Sequence, residues 1–265
     1  MLSRKELRFE RRSILTATQL RAIEKFPREF LRLMYSDYGD GIISGMDFIE
    51  RDDEIFLTEG LLKLGDKIFI AEEINLSELM TGTAGGKRYK FVLGAPQRTV
   101  YENVITEKIS LSVRELGKDG GLEFGQFRAG LVQLPSVNAE DLFEEFTRAS
   151  RLNLLHVPFA VRGGVTFHPI IFRAILRRLE HKKNRAPIDS ALMIRLADVG
   201  AVSMHALKIF VEGKGVTWLD DSRENIFNAV IEAVDKEWKI TLPEIISGPE
   251  EPSQPKTQDY DGIFI

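Results

Sequence analysis

The spacing of hydrophobic residues divides the sequence into three stretches. Over residues 3–34 the apolar positions recur at the spacing of a helix. From 42 to about 134, short apolar segments alternate with turn residues, as they do in β-strands. After Pro135 the helical period returns. The pattern therefore predicts an α+β protein with an N-terminal helical segment, an antiparallel β-rich middle and a C-terminal helical module.

Residues that favour helix ends give the predicted helices their bounds. Thr16 or Thr18 can cap the N-terminal helix, and Pro27 is expected to interrupt it. In the last third of the chain, Asn138 is a candidate cap, and Pro169 suits the first turn of another helix. Pro187 is predicted to start a helical pair that is interrupted at Gly200, and Ser222 is part of the predicted cap of a final helix.

The β-rich middle contains a series of short candidate strands separated by turns rich in glycine and aspartate. The candidate strands are 42–49, 54–58, 61–64, 67–74, 88–94, 99–104, 108–114 and 130–134. Short strands with regular turns and no helices between them favour an antiparallel sandwich or an open barrel.

We predict four regions along the chain from these elements. They are a helical segment (1–37), a β-rich domain (38–135), a helical domain (136–243) and a flexible proline-rich tail (244–265). The tail contains an apolar run at 260–265, which is either a frayed end or a short docking peptide. A docking peptide of this kind adds a strand to a neighbouring subunit or fills a groove on it.

Composition narrows the class of protein. The chain has 265 residues, 43% of them hydrophobic, which is ample for a packed core. Its net charge of −4 gives no global attraction to nucleic acid or anionic lipid. The absence of cysteine excludes disulfides, thiolate nucleophiles and cysteine-bound metals. The charged N-terminus is unlike a secretory leader, and apolar runs fall short of the ~18 residues of a membrane helix. We expect a soluble protein made in the cytoplasm.

The sequence contains no strong motif for catalysis or cofactor binding. Residues 81–88 partly match a phosphate-binding loop, but Arg88 replaces the hydroxyl residue that would hold magnesium. The aspartates between Asp37 and Asp53 fit turns better than a calcium loop, whose last ligand position is the apolar Phe48. The four histidines are widely spaced and form no zinc motif. We therefore expect no catalytic residue, no cofactor and no metal.

A basic stretch follows Pro169 on the predicted helix. Its members are Arg173, Arg177, Arg178, His181, Lys182, Lys183 and Arg185. Such a stretch can neutralise phosphates, but basic residues near a helix C-terminus are also favoured by the helix dipole alone. The stretch is compatible with three surroundings: nucleic acid, an acidic protein surface, or solvent.

A small β-meander with glycine-bearing turns follows the N-terminal helix. It comprises Gly41-Ile42-Ile43-Ser44-Gly45, the turn Arg51-Asp52-Asp53-Glu54, Gly60, and Gly65-Asp66-Lys67-Ile68-Phe69-Ile70. This arrangement resembles a segment of tail and baseplate-associated proteins of phages, prophages and contractile injection particles. The resemblance covers roughly the first 75 residues, and its motifs are structural glycines.

The resemblance implies a non-enzymatic structural protein of a multi-subunit tail, baseplate or injection particle, which for a phage is the virion. Its partners would be other protein subunits, with a homo-oligomer left open, rather than a membrane or nucleic acid. The candidate contact residues are Tyr38, Asp40, Gly41, Gly45, Tyr260, Ile263, Phe264 and Ile265. Two alternatives stay open: a nucleic-acid-associated or regulatory protein that uses residues 173–185, and an enzyme with a dispersed site.

Overall fold

The structure is a computed structural model with an α+β fold, as the hydrophobic pattern predicts. The predicted tail, with Tyr260, Ile263, Phe264 and Ile265, lies outside the described residues. The same holds for the first part of the predicted N-terminal helical segment. The described residues are 16–101, 104–118, 120–130, 132–148, 150–218 and 220–236.

The helices agree with most of the predicted bounds. They are α1 (Ala17–Met34), α2 (Leu76–Met80), α3 (Leu142–Thr147), α4 (Pro169–His181), α5 (Pro187–Val199), α6 (Met204–Gly213) and α7 (Arg223–Asp235). Thr16 caps α1 and Ser222 caps α7 through their side-chain oxygens, and Gly200 ends α5 in the left-handed conformation.

Two predicted helix bounds are wrong. Pro27 lies inside α1, which continues through it. Ion pairs of 2.9 Å between Glu24 and Arg28 and between Glu29 and Arg32 support the helix on both sides of the proline. Asp141 rather than Asn138 caps α3, because Asp141 accepts the backbone N–H of Glu144. The helix ends at Thr147, so the longer apolar stripe predicted there is only partly helical.

The strands form four small sheets. They are β1 (Gly41–Gly45), β2 (Phe48–Arg51), β3 (Glu54–Leu57), β4 (Gly60–Leu64), β5 (Lys67–Ala71), β6 (Ile74–Asn75), β7 (Arg88–Leu93), β8 (Gln97–Tyr101), β9 (Val104–Lys108), β10 (Leu111–Glu115), β11 (Leu122–Arg128), β12 (Phe159–Val161) and β13 (Gly164–Thr166). The sheet orders are β13-β12-β1-β4-β5, β10-β7-β11, β2-β3-β6 and β8-β9. The predicted strand 130–134 is absent from the described residues of that stretch, and β11 precedes it instead.

The β-rich and helical parts of the chain meet in one sheet. Within the region predicted as helical, β12 and β13 form a hairpin, and β12 pairs in parallel with β1 through Phe159 and Ile42. One hydrophobic cluster of buried side chains extends from Ile42 to Val234. The two parts therefore share a core, and the domain boundary near 135 stays a prediction.

A buried ion cluster joins the ends of four helices. Asp189 is fully buried, and each of its carboxylate oxygens lies 3.1 Å from Nζ of Lys214. Nζ of Lys182 lies 3.3 Å from the same carboxylate and donates to the carbonyl of Val234. Asp189 also accepts the N–H of Ala186 and so caps α5. Burial is the main cause that lowers the pKa of Lys182. One carboxylate thus holds α4, α5, α6 and α7 together.

Replacing Asp189→Asn should therefore destabilise the fold by about 3–5 kcal/mol, because the buried ammonium group of Lys214 and the partly buried one of Lys182 lose their counter-charge. The free energy of unfolding in urea measures this. The control Asp198→Asn, at an exposed position of the same helix, should change it by less than about 0.5 kcal/mol. Equal effects of the two substitutions would contradict a role for the cluster.

His168 is a fully buried histidine at the N-terminus of α4. Its Nδ1 accepts the N–H of Ile170, and its ring packs edge-on against Phe48 and Phe159 with centroid distances of 5.4 and 6.2 Å. Nε2 has no well-aligned hydrogen bond within the described residues. Burial, opposed in part by the backbone of Met46, lowers the pKa of His168 to about 4. The imidazole is therefore neutral in the folded protein.

Acid should weaken the fold through this residue. The unfolded chain takes up the proton below about pH 6.5, whereas the folded chain resists it down to about pH 4. The stabilisation is complete above pH 6.5 and falls by about 2 kcal/mol between pH 7.5 and 5. The pH dependence of urea unfolding measures it against His168→Asn, which keeps a helix cap and lacks this titration. Identical pH slopes for both proteins would exclude the effect.

Candidate protein-protein interfaces

Tyr38 and Asp40, two of the predicted contact residues, lie just before β1. Tyr38 is half-buried, and its ring packs edge-on against Tyr35 with centroids 5.1 Å apart. Asp40 is exposed, and its Oδ1 accepts the N–H of Gly65 at 2.8 Å and lies 3.6 Å from Nζ of Lys63. Asp40 therefore fixes the β4–β5 turn. A contact between these two residues and another protein stays a prediction.

Gly41 and Gly45, at the two ends of β1, lie where a side chain does not fit. A Cβ on Gly41 would be 2.5 Å from the carbonyl oxygen of Pro158. A Cβ on Gly45, which has a φ of +62°, would be 2.3 Å from the carbonyl oxygen of Glu59. Both glycines thus have a structural role in the sheet, and their role as partner contacts stays a prediction.

Helix α1 has an apolar face that the rest of the described protein leaves exposed. No residue of α1 is buried. Successive residues turn by about 100°, so that its large apolar side chains share one side and its charged side chains the other. The apolar side chains are between 46% and 73% exposed. We call the following residues the α1 face: Leu20, Ile23, Phe26, Phe30, Leu33 and Met34.

The β8–β9 hairpin is a second exposed apolar element. It pairs with no other strand among the described residues. Val100 lies opposite Ile105 across the two strands, and each is more than half exposed, as is Val104. Two-stranded sheets are marginally stable in water, so a hairpin with apolar side chains on its surface is suited to contact another protein.

Strand β5 connects these two elements. It is an edge strand of the five-stranded sheet, and Ile70 on it is 83% exposed. Helix α1 contacts β5, and Lys67 at the start of β5 lies 2.8 Å from Glu107 of β9. Edge strands present unpaired backbone N–H and C=O groups. The α1 face, Ile70 and the hairpin therefore gather exposed apolar side chains around one edge of the sheet.

The basic stretch of α4 is largely occupied within the protein. Arg178 pairs with Asp235 at 2.7 Å, and Arg173 lies 3.4 Å from Asp47. Arg185 donates to the carbonyl of Leu179 in the last turn of α4. Arg177 and Lys182 contact Asn138 and Asp189, respectively. A phosphate backbone would have to displace these partners, and the nucleic-acid alternative stays a prediction.

Two concave sites contain charged side chains. A cavity of about 300 Å³ between the ends of α4 and α7 is lined by Arg178, His181, Lys182, Lys183, Asn184, Val234 and Asp235. A smaller groove is lined by four arginines, Arg88, Arg128, Arg148 and Arg151. Arg88 and Arg128 lie directly opposite one another on β7 and β11, where like charges repel. Arg148 and Arg151 of the groove are already paired with Glu144 and Glu145. Arg88 and Arg128 are therefore the residues whose repulsion an anion would relieve, and the sequence pattern did not predict this groove.

The described part of the chain lacks two other kinds of site. No group of three or more histidine, aspartate or glutamate side chains in it could hold a metal ion. None of its helices has both the length and the apolar character needed to cross a membrane.

Comparison with known proteins gives little further information. No family model matches the chain, and no curated protein matches it. Among solved structures, it is similar to one chain of a type VI secretion system TssK-TssF-TssG baseplate subcomplex determined by cryo-electron microscopy. The TM-score is 0.35 and the identity 11%, over 87% of this chain and 97% of that chain. Similarity at this level does not establish a shared fold or a shared function.

The structural role of Gly41 can be separated from a contact role. Gly41→Ala should lower the melting temperature of the isolated protein, because its Cβ would meet the backbone of Pro158. Gly85→Ala is the matched control, since a Cβ there meets nothing within 4 Å. Thermal unfolding followed by circular dichroism measures both. A Gly41→Ala protein as stable as the control would contradict a structural role for Gly41.

Proposed function

We propose that this chain is a non-enzymatic structural protein of a multi-subunit particle related to phage tails or contractile injection systems, and that it acts through protein-protein contacts. The observation that carries the proposal is the α1 face. An 18-residue helix with no buried residue is marginal in water on its own. A partner that covered its apolar side would stabilise both the helix and the contact.

The free energy gained by burying the apolar side chains of the α1 face supports this proposal. Burying a large apolar side chain contributes about 1.5–3 kcal/mol, and the members of the α1 face are roughly half covered already. Covering the rest would contribute on the order of 1 kcal/mol for each residue. Proteins that act alone rarely leave so many large apolar side chains on one surface. The β8–β9 hairpin and Ile70 add to the same surface.

The class of particle comes from the sequence. The sequence of β1 to β5 has the glycine-bearing turns that resemble tail and baseplate-associated proteins. These strands do not form the predicted meander, because β1 pairs with β4 while β2 and β3 pair in another sheet. The solved structure described above is a baseplate subcomplex, which is the same class of assembly. Its TM-score is too low to add weight to the proposal.

The described residues favour neither alternative. The basic residues of α4 are held by internal partners, as described above. The cavity between α4 and α7 includes two groups with a shifted pKa. The hydrogen bond to Asp235 raises the pKa of Arg178, and burial lowers the pKa of Lys182. That lysine is bound to the buried Asp189, which assigns it to the stability of the fold.

Sedimentation of lysate from source cells tests the proposal. The native protein should sediment with a defined particle, far ahead of its 30.1 kDa monomer. The double substitution Phe26→Asp and Phe30→Asp should release it to the monomer fraction, because two charges on the α1 face prevent burial.

Ile194→Asp is the matched control, since Ile194 is an exposed apolar residue on another helix. It should sediment like the native protein, and circular dichroism should show that all variants are folded. A native protein found only as a monomer would refute the proposal. So would a double variant that stays in the particle.

A further inference from the structure

The α1 face adjoins an open sheet edge, and a segment of the same sequence has the composition to cover both. We propose that the apolar run at 260–265 docks on the α1 face beside β5 of a neighbouring copy of the chain. This inference rests on the proposed function only in requiring that the α1 face be covered.

Charge is the first reason for choosing this occupant. Residues 1–34 contain nine basic and four acidic residues, a net charge of +5. Residues 237–265 contain six acidic and two basic residues, a net charge of −4. The two ends of the sequence therefore attract each other, which favours their encounter and selects against like-charged partners.

The charges of α1 itself are consistent with this attraction. Arg28 and Arg32 are paired with Glu24 and Glu29 at 2.9 Å. Arg21 and Lys25, on the charged side of the helix, have no ion pair within the part of the chain that the structure describes. An acidic segment that crossed the helix would give them partners.

The apolar side chains are the second reason. The run at 260–265 includes Tyr260, Ile263, Phe264 and Ile265, and each is large enough to fill a gap on an apolar helix face. Aromatic and β-branched residues also favour an extended chain, and β5 pairs along only one of its edges among the described residues, so that a strand can be added to the other. The arginine groove would attract the acidic residues of the segment, but it is lined mainly by polar side chains and cannot bury this run.

The length of the connecting chain permits the contact. Tyr260 lies 24 residues beyond Lys236, which follows α7. A chain of that length spans at most about 80 Å, whereas a domain of this size has a radius of gyration of about 17 Å. The run can therefore reach the α1 face of an adjacent copy.

Cross-linking in the full-length protein tests the inference directly, because the sequence has no cysteine of its own. The test pair is Leu33→Cys with Gly262→Cys, linked by a short bis-maleimide. The control pair is Ile194→Cys with Gly262→Cys, since Leu33 and Ile194 are exposed aliphatic residues on helices, at 62% and 71%. The test pair should link about ten times faster, because docking raises the local concentration of the two thiols.

Two additions make the test specific. Phe264→Asp in the test pair should abolish the tenfold preference, whereas Thr257→Asp, outside the apolar run, should keep it. Raising the salt concentration should also slow the linking of the test pair. The linked product should have at least the mass of a dimer, because the run docks on a neighbouring copy; a product of monomer mass would place the run on its own chain and overturn the inference.

Several results would overturn the inference. They are equal linking rates for the two pairs, a preference that survives Phe264→Asp, or faster linking when Arg88→Cys replaces Leu33→Cys. Leu33→Cys dimers that form regardless of Phe264→Asp would assign the face to a second copy of α1. Vesicles of phosphatidylserine that protect Leu33→Cys from maleimide would assign it to a membrane. If the linking rates are equal and the native protein still sediments with its particle, the inference fails and the proposed function stands.

Discussion

The parallel pairing of β1 with β12 is the interaction on which the rest of the structure depends. It places the fully buried Ile42 beside Phe159 and brings Gly41 against the backbone of Pro158. From β1 the sheet extends through β4 to the open edge at β5, and from β12 it extends to β13 and then to α4. This junction therefore joins the helical part of the chain to the sheet that has β5 at its other edge.

Polar and apolar groups have separate tasks in this fold. The buried polar groups stabilise it: Asp189 with Lys182 and Lys214 joins the ends of four helices, and a neutral His168 fills the space between the sheet and α4. The basic residues of α4 are likewise held by partners inside the chain. The exposed side chains of the α1 face, β5 and the β8–β9 hairpin have no such internal role. They are the groups that an interaction with another protein would use.

The sequence predicts the elements with strong local determinants. Proline at the first turn and serine at the cap define α4, α5 and α7 correctly. Strands β12 and β13 are missed because three residues are too few to show a period of two. Strand β11 is not predicted because Gly121 and Gly125 are residues typical of loops. In the structure Gly125 lies within β11, at the point where the register with β7 is irregular. The exposure of the α1 face is not predictable, because an amphipathic helix normally buries its apolar side.

Footprinting with a photoactivated carbene can test whether the α1 face is covered in the particle, since the reagent labels any accessible side chain. The protein would be labelled alone and in the particle from its source, and the labelled residues identified by mass spectrometry. We expect Phe26, Phe30 and Ile105 to lose most of their label in the particle, and Ile194 to keep it. Unchanged labelling of the α1 face in the particle would contradict the claim that this surface is where the protein meets its partners.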